Sequence, residues 1–241
     1  MNYYNQNQPT PPPFGQSGTV AAQVNTVLKK VYVRMFIGLL VTAFCALGVS
    51  SSPAALQFFI GNRFVYWGMF IAMLAMAFII PPRIARMKTS TVLICFLLFS
   101  AMMGTSLSVI FIAYELGTIV YTFFITAGVF LAMSVYGYFT KANLAKMGTY
   151  CIMALFGIII ASLVNIFLHS SGLEWIISIV GVLIFVGLTA YDTQMAKQLS
   201  AANLDPAMSD KLATLCSLNL YLDFINLFLF LLQILGGSNR N

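Results

Sequence analysis

The chain is expected to be an all-α integral membrane protein of seven transmembrane helices with the last helix central in the bundle. Three observations carry that expectation. Of its 241 residues 60% are hydrophobic and only 7% charged, whereas a soluble domain is roughly a quarter charged. The mean hydropathy is +0.92. Apolar runs interrupted by charged or turn-forming residues fall at about 35–52, 64–80, 91–114, 116–139, 148–168, 173–195 and 213–235, each able to cross a bilayer as a helix.

Each interruption has a physical cause. Ser50-Ser51-Ser52-Pro53, Pro81-Pro82 before Arg83, Glu115 before Gly117, the stretch Lys141 to Lys146, Ser170-Ser171-Gly172 and the polar stretch 196–211 separate successive runs. Without the break at Glu115, the third and fourth runs would merge into one helix of ~74 Å, far longer than a bilayer requires. Residues 1–28 carry NQNQPTPPP near their start and are polar, rich in proline and free of charged side chains, so a disordered cytoplasmic tail is expected there, followed by the membrane domain over 29–241. The first apolar run follows Lys29, Lys30 and Arg34, which is not the pattern of a signal peptide.

Alternating the loops places Lys29, Lys30, Arg34, Arg83, Arg86, Lys88, Lys141, Lys146, Lys197 and Lys211 on one side, against Arg63 and Arg240 on the other. Ten against two is a positive-inside pattern, predicting a cytoplasmic N-terminus and an external C-terminus. The net charge of +6 is explained by this topology, and nucleic acid is not an expected partner. Membrane lipid is. No internal repeat of the inverted-transporter kind is evident. Cys45, Cys95, Cys151 and Cys216 fall in different apolar runs without a CxxC pair and read as packing residues. His169 reads as a surface residue, Glu115 and Glu174 as solvated groups near the outer ends of spans, and Tyr66, Trp67 and Trp175 as interfacial anchors. With no nucleotide loop, metal motif or Ser-His-Asp set, no enzyme activity and no cofactor are expected.

Two acidic residues lie inside spans, Asp192 in the sixth and Asp223 in the seventh. One Asp at a helix centre costs roughly 2.5–3.5 kcal/mol, which ~20 apolar residues offset, so insertion tolerates each without explaining it. Intramembrane ionisable groups mark ion routes, proton relays or pairs. At 100° per residue, Cys216, Asn219, Asp223, Asn226 and Gln233 share one face of the seventh span, a polar stripe that should face protein rather than lipid. The bland alternative is an interhelical hydrogen-bond seam. The face of Asp192 holds Ser178, Gly181, Phe185 and Thr189, mostly small enough for close helix approach. The two aspartates lie at matching depth and are expected to touch. Two such carboxylates share a proton, which makes the pair a pH sensor, and loss of that proton would push the helices apart and attract a cation, Ca²⁺ above all. Two carboxylates are too few for a tight calcium cage.

The segments GLTAYDTQ at 187–194 and LYLDFINLFLFLL at 220–232, with YGYFTKANL at 136–144 and ASLVNIFL at 161–168, resemble the Bax inhibitor (transmembrane Bax inhibitor motif) family. The resemblance covers most of the chain after the tail. It implies a seven-helix bundle with a central last helix and a pH-sensitive calcium leak in which Asp192 and Asp223 act as sensor and gate, calcium passing as a permeant ion. In some bacterial members an arginine near the cytoplasmic end of the second helix latches the first aspartate. The matching region here reads FIIPPRIARMK, which makes Arg83 the nearest counterpart, with a plain positive-inside residue as the alternative reading. The resemblance equally allows a non-transporting modulator of a membrane protease or of a stress or survival pathway, acting on a membrane-protein partner. A proton-coupled carrier and an intramembrane aspartyl protease are further alternatives. The protease would need glycines before Asp223, where Tyr221 and Leu222 stand. The length and the uncharged tail suit a bacterial inner membrane.

Overall fold

A computed structural model describes residues 16–202 and 204–237. Among them run seven long helices: α1 Gln16–Ser50, α2 Arg63–Arg83, α3 Thr89–Leu107, α4 Leu116–Phe139, α5 Ala145–Leu168, α6 Ser171–Ala201 and α7 Pro206–Gly237. All seven are long and apolar enough to cross a membrane.

The interruptions read from sequence have local causes. Ser52 accepts from Ala55 N and starts the short turn Pro53–Leu56, which passes into a π-helical turn Gln57–Gly61. Asn62 then caps α2 by accepting from the amides of Phe64 and Val65, and Ser170 caps α6 by accepting from Leu173 N, both the usual use of a short polar side chain before a helix. The break at Glu115 is present. The chain leaves α3 at Leu107, makes the short helix Ile110–Ala113, and enters α4 directly after Glu115.

Two boundaries depart from expectation. Helix α1 starts at Gln16, and Val24, Leu28, Val31 and Met35 form a buried stripe on it, so the tail expected to run to residue 28 gives way to packed helix sooner. Residues 1–15 of that tail lie outside the described residues. The apolar spacing of three, four and seven already marks a helix face there, although the intervening polar residues mask it in bulk hydropathy. Likewise the stretch 196–211, read as a loop, is helical to Ala201 and again from Pro206. A hydropathy run ends where the hydrocarbon ends, whereas a helix continues into water as long as its backbone is paired.

Helix α7 is the most buried of the seven, with 61% of its most apolar stretch enclosed against 6% for α5. It packs against α6, α1, α4 and α3. Phe96 and Phe99 of α3 meet the Tyr221 ring edge-on at 5.7 and 6.2 Å, while Phe123 and Phe130 of α4 meet Phe224, each at 5.5 Å. Glycines let backbones close up. A Cβ on Gly137 of α4 would strike the Ala190 carbonyl of α6, and one on Gly104 of α3 would strike the Thr42 carbonyl of α1.

The Lys- and Arg-rich end is fastened by polar contacts between helices distant in sequence. Arg34 and Lys30 both pair with Asp210. Lys211 donates to the Ala85 carbonyl at 3.3 Å, and Lys197 to the Tyr138 carbonyl at 2.6 Å. Gln194 accepts from Leu144 N at 2.9 Å and donates to the Ala142 carbonyl at 2.8 Å. These contacts gather the middle of α1, the start of α7, the turn after α2, the α4–α5 connection and the end of α6 at one end of the bundle.

Candidate functional site: two carboxylates between the last two helices

Asp192 of α6 and Asp223 of α7 face each other with their carboxyl groups within hydrogen-bonding reach. Asp192 is half-buried. Asp223 is only 4% exposed, and its Oδ2 has no hydrogen-bond partner among the described residues. A buried carboxylate oxygen with no donor is costly, a cost that a proton shared with Asp192 would relieve.

The surroundings follow from the helix faces. Ser178, Gly181, Phe185 and Thr189, on the face of Asp192, are all buried. Close to the pair, Gly148 of α5 holds the Tyr191 ring, whose atoms a Cβ would meet at 2.6 Å, and Gly187 receives Cys151 Sγ, 2.8 Å from a Cβ there. Cys151 also lies within electrostatic reach of Asp223. The four cysteines are all unpaired.

The supporting residues separate. Asn226 is half-buried and donates to the Leu222 carbonyl of its own helix at 2.8 Å. Asn219 is half-buried and makes no hydrogen bond among the described residues. Neither asparagine ties α7 to another helix, so the bland seam does not run through them. Gln233 of the same stripe does bond across, its Oε1 accepting from Ser178 of α6 at 2.8 Å. Elsewhere on α7, Tyr221 pairs its hydroxyl with Thr42 of α1 at 2.7 Å and Ser217 donates to the Val31 carbonyl of α1 at 2.9 Å, while Thr42 Oγ1 also donates to the Ser100 carbonyl of α3 at 2.9 Å. Arg83 is exposed at the end of α2 and forms no ion pair or hydrogen bond among the described residues. The latch expected of it is not formed here. A helix that ends through Pro81 and Pro82 carries Arg83 on the outer surface of the bundle.

Two further groups escaped the sequence reading. Asp210 is clasped by Arg34. Tyr32 of α1 lies 3.3 Å from Thr193 Oγ1, beside Asp192, and lines a cavity of about 360 Å³ with Ser134 and Tyr138. At the opposite end a polar cleft of about 500 Å³ is lined by Asn165, His169, Glu174 and Gln233. His169 closes α5 in the left-handed region, at φ 50°. Among the described residues no group of three or more His, Cys, Asp or Glu side chains is placed to hold a metal ion.

A bundle of seven helices, each long and apolar enough to cross a membrane, is the architecture of an integral membrane protein. A family model described as inhibitor of apoptosis-promoting Bax1 matches residues 24–241. The chain is 47% identical over 218 residues to an uncharacterized protein of Borreliella burgdorferi, covering 90% of this chain and 94% of that protein. It is 44% identical over 218 residues to the inner membrane protein YbhL of Escherichia coli strain K12, covering 90% and 93%. An uncharacterized membrane protein of Streptococcus pyogenes serotype M1 is 35% identical over 218 residues, covering 90% and 94%. The chain belongs to the Bax inhibitor family.

Proposed function

We propose that the chain is a pH-sensitive calcium leak channel in which Asp192 and Asp223 form both sensor and gate. The observation that carries this reading is the facing of two carboxyl groups across the α6–α7 interface, one of them almost wholly buried. With one proton shared, the pair is held together by a hydrogen bond and the helices stay closed. As pH rises the proton leaves, two like charges face each other in a low dielectric, and repulsion separates the helices. The freed charge attracts a divalent cation transiently. The membrane is a bacterial inner membrane, in keeping with the name of the Escherichia coli relative, with the Lys- and Arg-rich end and the N-terminus in the cytoplasm.

A second reading, a modulator of a membrane-protein partner, draws on α5, which leaves Phe156, Ile160, Leu163 and Phe167 exposed on a helix able to meet lipid or another protein. Purified protein in vesicles loaded with a calcium dye separates the two. Calcium entry above that of empty vesicles supports the leak, since no partner is present, while its absence at every pH from 6 to 8 leaves the modulator.

A further inference from the structure

We propose that the stacked rings of Phe185 and Phe230 form a second, aromatic gate in series with the Asp192–Asp223 pair, between that pair and the polar cleft at the sparsely charged end of the bundle, and that this cleft is the cation's entrance. The proposal rests on the leak reading for its cation, but its geometry stands independently.

The antiparallel α6–α7 interface is layered. At the cleft, Ser178 Oγ lies 2.8 Å from Gln233 Oε1, and Glu174, Asn165 and Ser162 complete the polar wall. Phe230 lines the same cleft and stacks on Phe185, with ring centroids 5.9 Å apart and planes 28° from parallel. Asp192 stands seven residues from Phe185 and Asp223 seven from Phe230, so the aromatic and carboxylate layers lie one heptad apart, about 10 Å. The order is polar, aromatic, carboxylate, and the last layer holds the unpartnered Asp223 Oδ2.

The aromatic layer is fitted to its place. Phe230 lies against Gly181, where a Cβ would come within 2.7 Å of three ring atoms. Glycine is the residue that lets the ring rest there. Paired rings exclude water, and a hydrophobic constriction of this kind closes a pore by dewetting. Another cavity beside α7, about 400 Å³ between α1, α4 and α7, is lined almost wholly by apolar groups, among them Phe124, Phe224 and Phe228. Its Thr42 hydroxyl is already engaged with Tyr221. That cavity offers a cation no ligands, whereas the Glu174 cleft does.

The test uses native Cys151, which lies beside Gly187 and near Asp223, on the carboxylate side of the rings. In a chain with Cys45, Cys95 and Cys216 changed to Ala, a membrane-impermeant cationic thiol reagent is added to the face of sealed vesicles that carries Glu174. Phe230→Ala is expected to raise the rate of Cys151 labelling about tenfold, as opening a dewetted constriction should, and Phe230→Leu by less. Gly181→Ala, which presses on the ring without removing it, is the second variant and should act in the same direction. Thermal unfolding in detergent selects the variants that remain folded. Unchanged labelling in a folded variant overturns the gate. Calcium flux is measured on the same vesicles. Faster labelling without calcium flux in any variant retains the aromatic gate and removes the leak reading, whereas Asp-dependent flux with unresponsive labelling retains the leak and removes the gate.

Discussion

Arg34 clasps Asp210 across 176 residues of sequence: Nη2 donates to both carboxylate oxygens at 2.9 and 2.8 Å, and Nη1 donates to the Asp210 carbonyl at 2.8 Å and to Thr214 Oγ1 at 2.9 Å. The middle of the first helix is thereby fixed to the start of the last. Both side chains are largely shielded, 16% and 19% exposed, and a forked guanidinium pair is stronger and more directional than a single ion contact. Asp210→Asn should lower stability by about 1.5–3 kcal/mol, read as a fall in the Tm of the detergent-solubilised protein. Arg34→Lys should not restore the loss, because a point charge cannot hold four acceptors in one plane. Equal stability of wild type and Arg34→Lys would contradict the clasp.

Close helix approach gives a second expectation. Gly137→Ala and Gly104→Ala each place a Cβ against a neighbouring helix's carbonyl and should destabilise by about 1–3 kcal/mol, the usual cost of overpacking. Gly128→Ala, with nothing within 4 Å of its Cβ, should leave Tm unchanged or raise it slightly. Thermal unfolding of the three variants side by side checks the packing.

The buried hydroxyls make a third case. Tyr221→Phe keeps the ring between Phe96 and Phe99 but loses the hydrogen bond with Thr42, while Thr42 retains the Ser100 carbonyl as an acceptor. The expected loss is about 1 kcal/mol. Tyr221→Ala removes the ring as well and should cost about 3–5 kcal/mol.

Arg83 supplies a negative expectation. Because it is exposed and touches neither aspartate, Arg83→Ala should leave both Tm and the pH profile of any flux as in wild type. A displaced pH profile would show that Arg83 reaches Asp192 in another state of the protein.

The spans, their breaks and the burial of Asp223 were legible because each depends on local sequence: the length of an apolar run, a capping Ser or Asn, a charge inside a hydrophobic stretch. The face of Asp192 was legible too, since a helix repeats every 3.6 residues. What the sequence hid was pairing between distant segments. Nothing near Asp210 announces Arg34, although an acidic residue among the basic ones at that end was a usable signal. Gly104 and Gly137 look like any other glycine in a span until the neighbouring backbone is in place. Arg83 was assigned by motif position alone, and the course of α2 through Pro81 and Pro82 took it elsewhere. The first helix was missed in part because Val24 and Leu28 sit among polar residues, where average hydropathy conceals a stripe.

The most direct test of the facing carboxylates is calcium flux into dye-loaded proteoliposomes from pH 6 to 8 for wild type, Asp192→Asn and Asp223→Asn. An amide cannot take on charge as the proton leaves, so it removes the repulsion that opens the helices. Wild-type flux should rise with pH, and either substitution should flatten or displace that rise. Flux that rises identically in all three proteins would contradict a gate made by Asp192 and Asp223.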